Sequence, residues 1–121
     1  MFRILWFLLI ASTVSCWSPH LENITVTRAD HVHFRCPLPD QLSPKESIIQ
    51  WKQWRSNDDF LVVSINGKIP QSLQRLYQSN HTSSLQLLSA DRQDSTTFIC
   101  ESFESQTILC QYNLIVLSND H

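Results

Sequence analysis

Short segments in which apolar and polar residues alternate recur from residue 21 to residue 117. A period of two places successive side chains on opposite faces of a β-strand, whereas no segment keeps the period of a helix. The pattern therefore predicts an all-β fold. The predicted strands span residues 21–28, 31–36, 48–54, 60–65, 75–77, 85–88, 97–103 and 108–117.

The breaks between these segments have turn chemistry. Asn66-Gly67 follows a run of β-branched and aromatic residues, and this dipeptide is typical of a type I′ hairpin turn. Prolines at 37, 39 and 44 predict a loop before the third strand.

Two cysteines and a tryptophan stand within this strand pattern. Cys36 ends the second predicted strand, Trp51 lies in the third, and Cys100 follows Asp94-Ser95-Thr96-Thr97-Phe98-Ile99. Together with the alternation at 85–87, this arrangement resembles an immunoglobulin domain. The resemblance implies a two-sheet antiparallel sandwich, a Cys36–Cys100 disulfide that joins the sheets, and Trp51 packed in the core against it.

The stretch between Trp51 and residue 75 is long enough for two extra strands, C′ and C″, which are typical of the variable-type (V-set) subclass. Over about residues 20–117 the chain is similar to non-rearranging V-type domains: the butyrophilin and costimulatory-ligand group, OX-2-type ligands, and viral copies of these. Arg75 and Asp94 match the ion pair of that family. Phe98 replaces its usual tyrosine, and the Phe-Gly-x-Gly bulge is missing, which argues against a rearranged antigen receptor.

The N-terminus has the pattern of a secretory signal peptide. Arg3 precedes a short apolar run over residues 4–14, and small residues follow. The run is too short to span a bilayer. We expect a signal peptide over 1–15, a V-type domain over 16–118 and a short tail over 119–121, and hence a secreted, extracellular product. An ectodomain fragment of a membrane receptor is the alternative.

The chain has four cysteines, and secretion favours disulfides. In V-type domains the first strand lies beside the last one, so the resemblance implies a Cys16–Cys110 bridge. If signal cleavage follows Cys16 instead, Cys110 is an odd thiol that could link two chains as a homodimer.

Composition and motifs point away from catalysis. The net charge of −2 suggests no nucleic-acid partner, and a single glycine leaves no phosphate-binding loop. His31 and His33 have metal-ligand spacing without a third ligand, and Asp58-Asp59 is read as a turn. We therefore expect no enzyme activity, no cofactor and no metal site.

Asn23 and Asn80 each begin an N-glycosylation sequon. Asn80 is expected in an exposed turn between two strands. Sugars at these positions are expected to mark surface outside the binding face.

The resemblance places strands G, F, C and C′ in one front sheet, and alternation assigns an outward-facing set of side chains to it. Exposed aromatic residues with a charged rim are typical of protein-binding hot spots. We expect this face to bind a cell-surface protein, such as an immunoglobulin-superfamily member on leukocytes, and so to modulate immune signalling, for example as a soluble decoy. An assembly or adhesion subunit that pairs with another immunoglobulin chain is the alternative. The predicted partner-binding residues are Gln50, Lys52, Trp54, Phe60, Ile99, Glu101 and Phe103.

Overall fold

The computed structural model describes residues 20–36, 48–56 and 59–118, which form an all-β sandwich. The predicted signal peptide, Cys16, Asp58 and the tail lie outside these residues. Two short 3-10 helices, Gln71–Leu73 and Arg92–Asp94, interrupt the strands, and the described residues contain no α-helix. The strands are β1 His20–Thr27, β2 Val32–Arg35, β3 Ile49–Ser56, β4 Asp59–Ile65, β5 Tyr77–Gln78, β6 Ser84–Leu87, β7 Thr97–Ser102 and β8 Ile108–Leu117.

The strands form two sheets. The larger sheet has five strands in the order β1-β8-β7-β3-β4, and the smaller has the order β2-β6-β5. All described pairings are antiparallel except that of β1 with β8, which is parallel. No helix in the described part of the chain is long and apolar enough to cross a membrane.

The core lies between the two sheets and is built from the inward positions of both. Phe34 on β2 stacks on Phe98 of β7 with ring centroids 4.6 Å apart, and it also contacts Trp51 and Tyr112. Trp51 is fully buried, which confirms its predicted place in the core. Phe98 is thus held in the core by aromatic packing.

A disulfide joins the two sheets as predicted. Cys36 follows β2 and Cys100 lies in β7, with Cα atoms 6.2 Å apart and 64 residues of separation along the chain. Closing a loop of this length stabilises the folded state by about 4 kcal/mol in the chain-entropy model.

The turn after β4 has the predicted geometry, but the second extra strand does not form. Asn66 and Gly67 both have positive φ, 53° and 80°, as a type I′ turn requires. Beyond the turn only Lys68 pairs back, with Ile65, and the chain enters the 3-10 helix at Gln71. Strand C″, for which the sequence has room, is therefore absent from the described residues, and Pro70, which has no backbone donor, precedes the 3-10 helix here.

Candidate functional site

The candidate site is the outer face of the five-stranded sheet, which points away from the three-stranded sheet. On β3, Ile49 and Trp51 are fully buried in the core, so Gln50, Lys52 and Trp54 face outward. The cross-strand register extends this inward and outward assignment to the neighbouring strands, because residues directly opposite each other lie on the same face of a sheet. Gln50 pairs with Glu101 on β7, and Trp54 pairs with Phe60 on β4.

Glu101 is the charged centre of this face. Its Oε1 accepts from Lys52 Nζ at 2.6 Å and from Gln50 Nε2 at 2.9 Å. The Glu101 side chain is 6% exposed and that of Lys52 is 22% exposed. A carboxylate withdrawn from water to this extent needs such donors, so the three side chains act as one connected group.

Two aromatic rings continue the group toward β4. The rings of Trp54 and Phe60 stack with centroids 6.4 Å apart, and Lys52 Nζ lies 5.4 Å from the Phe60 centroid. Both rings remain partly open to solvent, at 40% for Trp54 and 38% for Phe60. The ammonium group therefore links an ion pair to an exposed aromatic pair.

Two further apolar side chains are exposed beyond Glu101. Phe103 follows β7 directly, and its backbone N–H donates to Ile48 O at 2.8 Å. Ile108 on β8 pairs with Glu101 and so shares its face. We call Trp54, Phe60, Phe103 and Ile108, with the Lys52–Glu101 pair between them, the apolar surface.

Three of the predicted partner-binding residues are less accessible than expected. Gln50, Ile99 and Glu101 lie on the outer face, but they are only 7%, 9% and 5% exposed. Alternation gives the face of a strand and not the cover that neighbouring side chains provide. These residues support the surface, whereas Lys52, Trp54, Phe60 and Phe103 are open to a partner.

Ile108 was missed because its parity depends on a strand irregularity. Cys100 pairs with Cys110, but Glu101 pairs with Ile108, so Leu109 has no opposite residue. This bulge reverses the alternation that Cys110 would otherwise impose. The sequence contains no local signal for it.

Cys110 faces the core beside the disulfide. It is fully buried, and among the described residues it forms no disulfide. The sulfur atoms of Cys36, Cys100 and Cys110 all lie within 4.8 Å of one another. Burial raises the pKa of the Cys110 thiol to about 12. A buried, protonated thiol is poorly placed to link two chains, which counts against the covalent dimer.

His31 and His33 belong to no larger group of potential metal ligands among the described residues. The only group there of three or more His, Cys, Asp or Glu side chains close enough to hold an ion is this three-cysteine cluster, and two of its members form a disulfide. His33 is exposed on the three-stranded sheet, and His31 Nε2 lies 2.9 Å from Gln86 Oε1.

The expected Arg75–Asp94 ion pair does not form among the described residues. Asp94 is buried, and it accepts from the Asp91 backbone N–H at 2.9 Å and from Gln53 Nε2 at 3.5 Å. Burial raises the pKa of the Asp94 carboxyl, and the nearby cation that opposes this shift is Arg55. Arg75 precedes β5 and is exposed, so the residues that hold Asp94 come from β3 and the 3-10 turn instead.

The two sequons lie in different parts of the sandwich. Asn80 is exposed in the turn between β5 and β6, as expected. Asn23 is exposed on β1 and pairs with Asn113 of β8, which places it on the outer face of the five-stranded sheet. Asn23 therefore shares a sheet face with the candidate site, and the expectation that a sugar there marks surface outside the binding residues stays a prediction.

The chain was compared with protein families and with curated proteins. No family model and no curated protein matches it.

Proposed function

We propose that this chain is a secreted immunoglobulin V-type domain that binds a cell-surface protein through the apolar surface. The sheet orders support an immunoglobulin-type sandwich with strand C′, while strand C″ is absent from the described residues. β1-β8-β7-β3-β4 corresponds to A′-G-F-C-C′, and β2-β6-β5 corresponds to B-E-D. The parallel pairing of β1 with β8 and the inter-sheet disulfide agree with it.

The observation that carries the binding proposal is the grouping of exposed aromatic residues around a shielded ion pair. Trp54 and Phe60 on the sheet, and Phe103 directly after β7, are each about two-fifths exposed. Such side chains contribute most of the energy in protein interfaces, and the strands beneath them reduce the entropy lost on binding. A surface of this kind suits a soluble modulator or decoy that occupies a receptor on leukocytes.

Binding of the fluorescent, tetramerised domain to leukocytes, measured by flow cytometry, tests this proposal. We expect Trp54→Ala and Phe103→Ala each to weaken binding by at least about 30-fold, which corresponds to about 2 kcal/mol. Folding should persist, because both side chains are exposed.

The matched control is His33→Ala, which changes an exposed residue on the opposite sheet and should leave binding unchanged. Melting curves of each variant separate loss of binding from loss of fold. If His33→Ala abolishes binding while Trp54→Ala and Phe103→Ala retain it, the interface lies on the three-stranded sheet.

A further inference from the structure

The outer face carries a second group of exposed apolar residues, at the edge opposite the apolar surface. Leu21 on β1 is 65% exposed, and Ile115 and Leu117 on β8 are 47% and 52% exposed. Leu21 pairs with Gln111, Ile115 with Thr25 and Leu117 with Thr27, so all three share the outer face. We call Leu21, Ile115 and Leu117 the aliphatic strip. Ile115 and Leu117 lie two positions apart on β8, and Leu21 lies on β1 four positions from Thr25, the partner of Ile115.

A sequon lies inside this strip. Asn23 stands between Leu21 and Thr25 along β1, and Thr25, the sequon threonine, is paired with Ile115. Asn23 and Thr25 are both exposed. Asn113 Nδ2 donates to Asn23 Oδ1 at 3.0 Å. This bond uses the amide oxygen of Asn23, and so it leaves unused the nitrogen to which a glycan is attached.

The side chains around Asn23 are polar, so they suit contact with a hydrophilic cover better than they suit a protein-binding hot spot. Thr97 Oγ1 donates to Asn113 Oδ1 at 3.1 Å, and Gln111 Nε2 lies 3.4 Å from the same oxygen. Asn23, Asn113 and Thr97 thus form a hydrogen-bonded row across three strands. The strip contains no aromatic or charged anchor of the kind that protein partners use.

We propose that Asn23 carries an N-linked glycan that lies over the β1–β8 half of the outer face and covers the aliphatic strip. An N-glycan is bulky and hydrophilic, and it would remove Leu21, Ile115 and Leu117 from direct contact with other proteins. The inference rests on the proposed function in one respect, since glycosylation requires the secretory route.

The same arrangement defines the area left to a partner. Phe98 pairs with Gln53, so Thr97 lies opposite Trp54, one position further along the antiparallel strands. Because Thr97 also pairs with Asn113 in the Asn23 row, Trp54 lies level with that row. Three strand spacings separate β1 from β3, which amounts to about 14 Å. A glycan at Asn23 therefore leaves to a protein partner β7, β3 and β4, together with Ile108 at the far end of β8 from Asn113.

The chain is secreted from mammalian cells and its glycopeptides are mapped by mass spectrometry. We expect sugar at Asn23 in the wild-type protein and in Thr25→Ser, which keeps the sequon. We expect none in Thr25→Ala, which removes the sequon but keeps the Asn23–Asn113 hydrogen bond. Asn80 serves as the internal control for passage through the secretory route.

Hydroxyl-radical footprinting then locates the cover. Thr25→Ala should show oxidation of Leu21 and Ile115 increased several-fold over Thr25→Ser, with Trp54 and Phe60 unchanged. Asn80→Gln should alter none of these four residues.

The other possible results of these experiments distinguish failure of this proposal from failure of the secretory route. An unmodified Asn23 beside a modified Asn80 overturns this proposal alone. Sugar at neither asparagine of the secreted chain also overturns this proposal alone, whereas absence of the chain from the medium overturns the secretory route together with it. Equal oxidation of Leu21 and Ile115 in the two Thr25 variants shows that the glycan does not cover the strip, which also overturns the proposal.

Discussion

At the scale of single residues, Glu101 shows how a charged side chain is held at the surface of a sheet without being exposed. Its carboxylate is almost completely buried, and it is stabilised by Lys52 and Gln50 on the adjacent strand. Removing a partner leaves a desolvated charge, which costs more than the pair itself contributes. The Lys52–Glu101 pair is thus a structural element beneath the exposed rings.

We expect Lys52→Met to lower the free energy of unfolding by about 2 kcal/mol, because Glu101 then keeps only a neutral donor. Urea unfolding at neutral pH measures this change. Lys68→Met, at an exposed lysine after the Asn66-Gly67 turn, is the matched control and should change stability by less than about 0.5 kcal/mol.

The double variant Lys52→Met with Glu101→Gln provides the cycle that isolates the pair. It should be more stable than the sum of the two single changes predicts, since the uncompensated charge is gone. Additive single and double effects would contradict a direct interaction.

At the scale of secondary-structure elements, the β7–β8 pair determines both the exposed and the buried chemistry. Its bulge turns Ile108 outward, while Cys110 remains inward beside Cys100. Burial of Cys110 holds its thiol in the protonated form. The strand pair therefore isolates this cysteine from solvent.

We expect the Cys110 thiol to resist iodoacetamide in the folded protein at pH 8 and to react once urea unfolds it. The thiolate is the reactive species, and a pKa of about 12 leaves almost none of it. Mass spectrometry of the alkylated chain, without a reducing agent, measures both states. Cys110→Ala is the control that identifies the labelled site.

Two outcomes would contradict this expectation. A Cys110-linked dimer on a non-reducing gel would support the assembly alternative. Absence of a free thiol at Cys110 in urea would support the Cys16–Cys110 bridge that the V-type resemblance implies.

At the scale of the whole molecule, polar contacts that involve Asp94 complement the disulfide and the aromatic core. Asp94 belongs to the 3-10 helix before β7, where it forms a capping box with Asp91, and it also accepts from Gln53 on β3. Burial makes the ionised form of this carboxyl unfavourable in the fold. The free energy of unfolding is therefore expected to depend on the protonation of Asp94.

The folded-state pKa of Asp94 is raised above its ordinary value of 3.8, so the native state binds the proton more tightly than the unfolded state. The contribution of Asp94 is then fully present below pH 3.8 and is lost as the pH rises through the folded-state pKa. Each pKa unit of this shift corresponds to about 1.4 kcal/mol.

We expect Asp94→Asn to remove this loss, so that the variant gains stability relative to the wild type as the pH rises from 4 to 7. Urea unfolding at several pH values measures the difference, and Asp59→Asn, at an exposed position in β4, is the control. If instead the wild type gains stability relative to Asp94→Asn as the pH rises, the pKa of Asp94 is lowered in the fold.

The sequence by itself determined the features that depend on local chemistry. Alternation predicted strands close to those observed, because a strand exposes its two faces to different surroundings. Asn66-Gly67 predicted its turn, since few other residues accept positive φ at both positions. The resemblance to immunoglobulin domains supplied the Cys36–Cys100 disulfide and the buried Trp51, which the structure confirms.

The tertiary structure alone decided which of the outward positions are accessible. The shielding of Glu101 follows from cross-strand register, and the exposure of Ile108 follows from one bulge. Neither feature leaves a periodic pattern in the sequence. The donors to Asp94 depend on which side chains reach it in space, and Arg75 does not. Asn23 faces the same way as Trp54 because β1 joins the five-stranded sheet beside β8, a pairing between residues far apart in the chain.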